Sequence, residues 1–279
     1  MLSDLEGLLA WKGLAVLAWI LAFFLAERWR PAARPQPAKG AVKGGWHRVG
    51  RNVGLWLTVT LLSPLIVLPL TYWASDHALA WRPGWWQGGS VISWGLALDV
   101  LLLDVLIYWW HRANHEVPFL WRFHEVHHLD RFLDTTSALR FHFGEVLLSA
   151  LARAGVILLL GFPFASVLVF EALVIFSAVF HHSNLRLPAG LERALSRIII
   201  TPSIHWVHHH AVRSDTDSNY GTIFSFWDPL FGSRSPTPRG LAMTIGTEGR
   251  AEEGLLSLLL RPFRFGGAAL PGPRRPRKS

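Results

Sequence analysis

The chain has 279 residues, enough for one or two domains on length alone. Hydrophobic residues make up 51% and charged residues only 16%, with 15 Trp and 17 Phe, which is too apolar for an ordinary soluble domain. The net charge of +8 does not point to nucleic acid, because the basic residues flank apolar stretches and the C-terminus instead of forming one stripe; the absence of cysteine excludes disulfides, iron–sulfur clusters and zinc fingers.

Leu8 to Ala26 is an apolar run interrupted only by Lys12, close enough to its end for the ammonium to snorkel. It is long for a signal-peptide core and follows Asp4 and Glu6 rather than basic residues, so a first membrane helix is expected. Glu27 to Arg51 reads as a basic loop among prolines and glycines, with Arg28, Arg30, Arg34, Lys39, Lys43, Arg48 and Arg51. By the positive-inside rule it faces the cytoplasm. Val53 to Trp73 is the second expected membrane helix, with Pro64 and Pro69 as kinks. The connection from Ala74 to Gly89 holds Arg82 as its one basic residue and clusters Trp81, Trp85 and Trp86, which fits an outer-face interfacial loop. Val91 to Trp110 is the third membrane helix and returns the chain to the cytoplasm.

Immediately beyond, residues 111–128 read HRANHEVPFLWRFHEVHH and hold His111, His115, His124, His127 and His128. Far downstream, H-W-V-H-H repeats the pattern with His205, His208 and His209, and 12 of the 14 histidines lie between His111 and His210. Residues i and i+3 or i+4 share a helix face, so His111/His115, His124 with His127 or His128, and His205 with His208 or His209 are each spaced as chelating pairs. Neutral imidazole suits iron, zinc, copper and nickel. Three such sets supply about twice the four ligands of a tetrahedral zinc, so a two-metal centre is expected.

Glu145 to Leu160, Gly161-Phe162-Pro163 and Phe164 to Phe180 read as a helical hairpin with an apolar turn and arms short for a full crossing. The hairpin returns His181 and His182 to the side it left. From Ser183 onward no stretch could span a membrane, and PGPRRPRKS reads as a disordered basic tail attracted to an anionic membrane surface. On this topology residues 111–128, His142, His181/His182 and His205–His210 share the cytoplasmic side, as a joint metal site requires. The expected class is an all-α integral membrane protein: about three membrane-spanning helices plus a helical hairpin, with a cytoplasmic helical cap holding a histidine-rich dimetal site. Residues 1–90 would supply the N-terminal membrane helices and basic loop, 91–232 the catalytic region, and 233–279 a C-terminal cytoplasmic segment with the basic tail.

Asp104, Tyr108, His111 and His115 fall on one helical face. An ionisable residue inside a membrane helix is a functional candidate. Asp104 lies about 10 Å from His111 along the axis, so it is expected to hydrogen-bond a histidine from another segment and fix its tautomer, unless a neighbouring helix merely satisfies it. Asp99 and Glu171 are weaker cases, and Glu116 and Glu125 abut ligand candidates. A rival chemistry is zinc metallohydrolysis, since His124-Glu-Val-His-His128 matches H-E-x-x-H with Glu125 as general base. It leaves His111, His115, His205, His208 and His209 without a role. A non-enzymatic membrane metal-binding or transport protein would need ligands near the bilayer midplane, whereas these histidines lie outside the apolar runs. His47 and His77 read as ordinary surface histidines.

The segments LDVLIYWWHRANH, LWRFHEVHH, TTSALRFHFGE, HHSN, TPSIHWVHHH, NYG and WDPLFG, in this order, resemble the sterol desaturase/fatty acid hydroxylase superfamily over roughly Leu98 to Gly232. The resemblance implies an integral membrane di-iron oxygenase that uses O2 and an external electron donor to hydroxylate or desaturate a lipid C–H bond. It implies His111 and His115 as the first histidine box, His124, His127 and His128 as the second, and His205, His208 and His209 as the third. His182 looks like the family's additional ligand, and His142 and Asn184 would stand behind the ligands with Asp104 and Tyr108. Leu129 and Phe143 depart from the family's frequent Ser and Pro, at no ligand position. Two iron ions are the implied cofactors, with zinc as a substitute in overexpressed protein. The chain shows no Rossmann glycine fingerprint and no cytochrome b5-like segment, so a ferredoxin, a cytochrome b5-like protein or a reductase is the implied partner. Sterol, hopanoid, carotenoid, fatty-acyl and ether lipids are not distinguished. The protein is expected to be multi-pass, with its active site on the cytoplasmic face.

Overall fold

The computed structural model describes residues 2–34, 44–83, 86 and 94–264, and among these every regular element is helical. The middle of the expected basic loop, Trp85 with its neighbours, and the PGPRRPRKS tail lie outside the described residues. The long helices are α1 (Leu2–Trp29), α2 (Trp46–Leu62), α3 (Leu68–Asp76), α4 (Trp94–Glu116), α5 (Pro118–His128), α6 (Phe143–Leu160) and α7 (Phe164–His182). Short helices follow: α8 (Ala189–Leu195), α9 (Pro202–His208), α10 (Arg213–Thr216), α11 (Trp227–Leu230) and α12 (Leu255–Leu260). The β pairings are isolated bridges, Ile199 with Phe224 and His210 with Ile245.

Among the described residues, four segments are long and apolar enough to cross a membrane: Trp46–Asp76, Trp94–Glu116, Phe143–Leu160 and Phe164–His182. Both hairpin arms, expected to be short, are among them. Large apolar side chains such as Leu61, Leu65, Leu151 and Leu159 point outward from these helices, as a lipid-facing surface requires. Pro64 shapes the first segment. It has no N–H to give, and a single π-helical turn, Ser63–Val67, carries the helix past it.

Two prolines and a glycine set the corners that matter for the histidines. Val117 takes extended backbone, as a residue before proline prefers, and Pro118 opens α5 where no N–H is needed. That corner folds the second histidine box back over the first. At the far end of α6, Gly161 has φ 70°, and a side chain there would meet Leu79 O at 2.7 Å. Pro163 then caps α7, and the hairpin brings His182 to the level of α5.

Charges in the apolar helices are paired inside the bundle. Lys12, expected to snorkel, meets Glu171 at 3.0 Å, and Arg153 meets the same carboxylate at 3.0 Å, linking α1, α6 and α7. Asp99 accepts from Arg82 at 2.6 Å and from Trp86 Nε1 at 3.0 Å, tying the connection after α3 to α4. The basic loop is shorter than expected, because α1 continues to Trp29 and α2 begins at Trp46. Arg48 and Arg51 are therefore helical and buried. A buried guanidinium needs a counter-charge: Arg48 binds Asp130 at 2.7 Å and also Asp134, and Arg51 lies 3.5 Å from Glu252. Residues 233–264 pack into the cap. Leu258 is buried against Leu55, Val126 and Leu129, and Glu252 accepts from Arg140 Nη2 at 2.8 Å.

Candidate metal centre

The last turn of α4, helix α5, the end of α7 and helix α9 meet at one end of the helix bundle and bring together the nine histidines expected as ligands. They sort into two buried groups. His111, His115, His124, His128 and His208 form one, and His127, His182, His205 and His209 the other; within each, one ligand atom per residue lies within 4.8 Å of the rest. The second and third boxes serve both groups. At 100° per residue an i+4 neighbour lies 40° to one side and an i+3 neighbour 60° to the other. So His124 and His128 share a group while His127 joins the other. Likewise His205 and His209 stay together while His208 departs.

Hydrogen bonds to the outer ring nitrogens fix the tautomers. Nδ1 of His111 meets Tyr220 O at 2.9 Å, that of His127 meets Arg140 O at 3.0 Å, that of His182 meets Ala178 O at 2.8 Å, and that of His208 meets Ser218 O at 2.6 Å. A carbonyl only accepts, so each Nδ1 carries the proton and each Nε2 is left with a bare lone pair. The Nε2 atoms of His127 and His182 nevertheless stand 3.1 Å apart. Two lone pairs facing each other repel, and a shared cation is what relieves them. Among the described residues, Nε2 of His208 and both ring nitrogens of His115 have no hydrogen-bond partner although buried. Donors of this kind, all neutral imidazole, fit borderline metals such as iron and zinc.

Electrostatics keep the rings neutral. Burial first, and neighbouring imidazoles second, hold His127, His128, His205 and His209 well below the ordinary histidine pKa. Burial pushes His208 down to about 3. Uncharged imidazole is the form that binds metal.

Glu145, which spacing did not single out, stands directly behind the ligands. Its Oε1 accepts from His124 Nδ1 at 2.8 Å and from Asn114 Nδ2 at 3.3 Å. Asp217 Oδ1 lies 3.5 Å from His115 Nδ1, with Arg213 donating to its other oxygen at 2.6 Å. The one available signal for Glu145 was an acid in the first turn of an apolar helix; for Asp217 there was none.

The four residues expected behind the ligands hold the frame instead. Asp104 accepts from Ile223 N at 3.1 Å, Phe224 N at 3.0 Å and Trp227 Nε1 at 2.8 Å, and no histidine is among its hydrogen-bond partners. It pins the loop after NYG against α4. The Tyr108 hydroxyl bonds Ser233 Oγ at 2.7 Å, and Asp228 fixes that serine and the backbone of Tyr220 and Gly221. His142 spends both ring nitrogens on backbone, accepting from Gly144 N at 2.9 Å and donating to Leu259 O at 3.0 Å. Asn184 clasps Ala33 through both side-chain atoms, 2.9 and 2.8 Å.

Three further residues fall outside both groups. Glu125 is committed to Arg261 at 2.8 Å and lies 3.6 Å from Arg250, so the general-base arrangement of a zinc metallohydrolase is not formed. His210 turns to Asp215 at 2.8 Å. His181 is buried with its ring centre 4.0 Å from that of His205.

Comparison with known proteins agrees with this geometry. Residues 96–233 match the fatty acid hydroxylase family. The ornithine lipid hydroxylase OlsE of Rhizobium tropici is 31% identical over 189 residues, covering 68% of this chain and 56% of that protein. An alkylglycerol monooxygenase of Danio rerio is 32% identical over 63% of this chain and 37% of its own length. A cholesterol 25-hydroxylase-like protein of Danio rerio is 31% identical over 65% of this chain and 69% of its own length. The chain thus spans roughly half, or less, of the first two relatives. No solved structure matches it. With the family's matched region running from the start of α4 through the three histidine boxes to the WDPLFG loop, the chain belongs to the fatty acid hydroxylase family.

Proposed function

We propose that this chain is a membrane-bound, O2-dependent oxygenase that hydroxylates or desaturates a lipid C–H bond at a di-iron centre held by His111, His115, His124, His127, His128, His182, His205, His208 and His209. The observation that carries the reading is the convergence of these nine buried imidazoles into a group of five and a group of four. Relatives named for ornithine lipid, alkylglycerol and cholesterol support a lipid as substrate. Two bound irons would supply the activation of O2. Hydroxylation consumes O2, two electrons and two protons and yields the alcohol and one water; desaturation yields the alkene and two waters. The electrons come from a separate carrier, a ferredoxin, cytochrome b5-like protein or reductase.

The protein's own part is to position and to exclude. Carbonyls of Tyr220, Arg140, Ala178 and Ser218 and the Glu145 carboxylate hold the rings with Nε2 inward, so little reorganisation is needed when metal binds. The buried rings keep bulk water from the centre. The histidines cap one end of apolar helices, which supports a lipid chain reaching the centre from the bilayer. That end faces the cytoplasm in this reading.

Elemental analysis of purified protein should find two metal ions per chain, iron in cells, and lipid mass spectrometry of cells with and without the gene should show a gain of one oxygen or a loss of two hydrogens. A single zinc retained in His205→Ala/His208→Ala would overturn the di-iron assignment. Reporter fusions at Arg34, Trp85 and Lys278 should read inside, outside and inside; Lys278 opposite to Arg34 would contradict the cytoplasmic placement.

A further inference from the structure

On the face of α9 away from the histidines runs a groove of about 500 Å³, continuous through Ser196, Ile204, Asn219 and Arg234 with a second of about 360 Å³. No histidine lines either. Away from the groove, six arginines (Arg28, Arg48, Arg82, Arg140, Arg153 and Arg261) each have a carboxylate within ion-pair distance. Around the groove this fails. Arg186, Arg193, Arg197 and Arg234 are exposed, and among the described residues none forms an ion pair. Of the two acids in the wall, Glu192 is occupied by the Thr201 hydroxyl and Asp228 by Ser233 Oγ and the backbone of Tyr220 and Gly221.

Arg239, in the same wall, adds an independent observation. Its Nη1 donates to Leu185 O at 2.8 Å and its guanidinium lies 4.0 Å over the Trp206 ring, so the group is held rigidly. Nε and Nη2 have no hydrogen-bond partner among the described residues and are buried. These two N–H groups form the side-on fork that matches a carboxylate or phosphate. A buried fork without an acceptor is costly, and burial pulls this guanidinium down to about 10 against the pull of Glu192.

The groove's position selects the source of the anion. Exposed apolar side chains, Leu191, Ile198 and Leu230, stand on α8, just after it and on α11, beside the unpaired arginines. Ser225 and Phe226 of the wall follow Phe224, whose N–H is held by Asp104, two turns up α4 from His111. The groove therefore opens where the apolar helices meet the cap, and basic residues mixed with apolar ones at that level suit lipid headgroups.

We infer that this groove binds the oxyanion of a membrane lipid headgroup, a phosphate or carboxylate that gives the Arg239 fork its missing acceptor and neutralises Arg186 and Arg234. The test uses the full chain reconstituted in nanodiscs of phosphatidylcholine with a minor fraction of phosphatidylglycerol, followed by detergent extraction and native mass spectrometry of retained lipid. Wild type should retain phosphatidylglycerol in preference, and Arg186→Gln/Arg234→Gln should lower that retention roughly tenfold. Both substituted side chains are exposed, so folding is preserved; Arg239→Gln should act in the same direction. Comparison with wild type cancels any contribution of the basic tail. Unchanged retention in the double variant would overturn the inference. Displacement of phosphatidylglycerol by millimolar inorganic phosphate would overturn the lipid as source and leave a site for a soluble oxyanion. Binding of an acidic [2Fe–2S] ferredoxin that the double variant abolishes, with lipid retention unchanged, would overturn it in favour of a protein partner.

Discussion

Removing the carboxylate behind His124 separates a metal-bearing histidine assembly from a merely packed one. Glu145 is buried and accepts from His124 Nδ1 at 2.8 Å and Asn114 Nδ2 at 3.3 Å. In Glu145→Ala, His124 loses the group that sets its tautomer, and Asn114 loses its acceptor. Losses of this kind behind metal-bound histidines weaken metal binding about 10–100-fold, equivalent to about 1.4–2.7 kcal/mol. The orphaned donors cost the fold about 1–3 kcal/mol as well. Glu145→Gln divides the two effects, because its amide oxygen still accepts from His124 while the charge is gone; it belongs near the tenfold end. The assay is equilibrium dialysis of metal-loaded protein against graded chelator, with elemental analysis of what is retained and a circular dichroism melt on each sample. Wild-type metal retention in Glu145→Ala with a lowered melt would mean that Glu145 serves the fold alone, and the tautomer argument would be wrong.

His142→Ala should lower thermal stability by about 0.5–2 kcal/mol through loss of the α6 cap, with metal content unchanged; metal loss in that variant would return His142 to the site. Asp104→Asn turns an N–H toward donors and leaves at least one of Ile223 N, Phe224 N and Trp227 Nε1 unpaired, so proteolysis in residues 221–231 should quicken while metal is kept, and an unchanged cleavage rate would contradict the pinning role. For the metal-free protein the sign of the pH dependence follows from depressed histidine pKa values. Below about pH 6.5 the unfolded chain takes up protons that His128, His205, His208 and His209 refuse while folded, so stability falls on acidification by up to about 1.4 kcal/mol per pH unit per ring. A melting temperature that stays flat from pH 7 to pH 5 would refute this. His209→Ala should empty part of the centre whereas His210→Ala, paired with Asp215 outside it, should leave metal content near wild type, and equal losses in the two would undo the grouping.

The histidine boxes were legible because their information is local. Helical spacing alone pairs His111 with His115 and His124 with His127 or His128. Membrane helices were legible for the same reason, since length and hydropathy are properties of a run. Spacing left open which of His127 and His128 shares a group with His124, because both lie near its face. The structure decides it through the two metal groups, to which i+3 and i+4 neighbours are distributed in opposite directions.

What supports the histidines was not legible, and the physical reason is that most of it has no side chain. Four of the five Nδ1 contacts that set tautomers go to backbone carbonyls, of Tyr220, Arg140, Ala178 and Ser218, whose positions depend on how distant segments pass one another. The partners of the carboxylates were left open for a related reason. Asp104 shares a helical face with His111 and His115, but a buried carboxylate is drawn to the densest set of N–H donors available. In this fold those are the backbone of residues 223–224 and the Trp227 indole. Glu125 directly follows His124 in sequence yet is captured by Arg261, from a segment 136 residues away. Glu145, 21 residues from His124, has no guanidinium within ion-pair distance among the described residues, and its Oε1 takes the proton of an imidazole. Adjacency in sequence sets which face a carboxylate starts on; the partners that the tertiary fold brings to that face determine whether it serves the metal ligands or the frame.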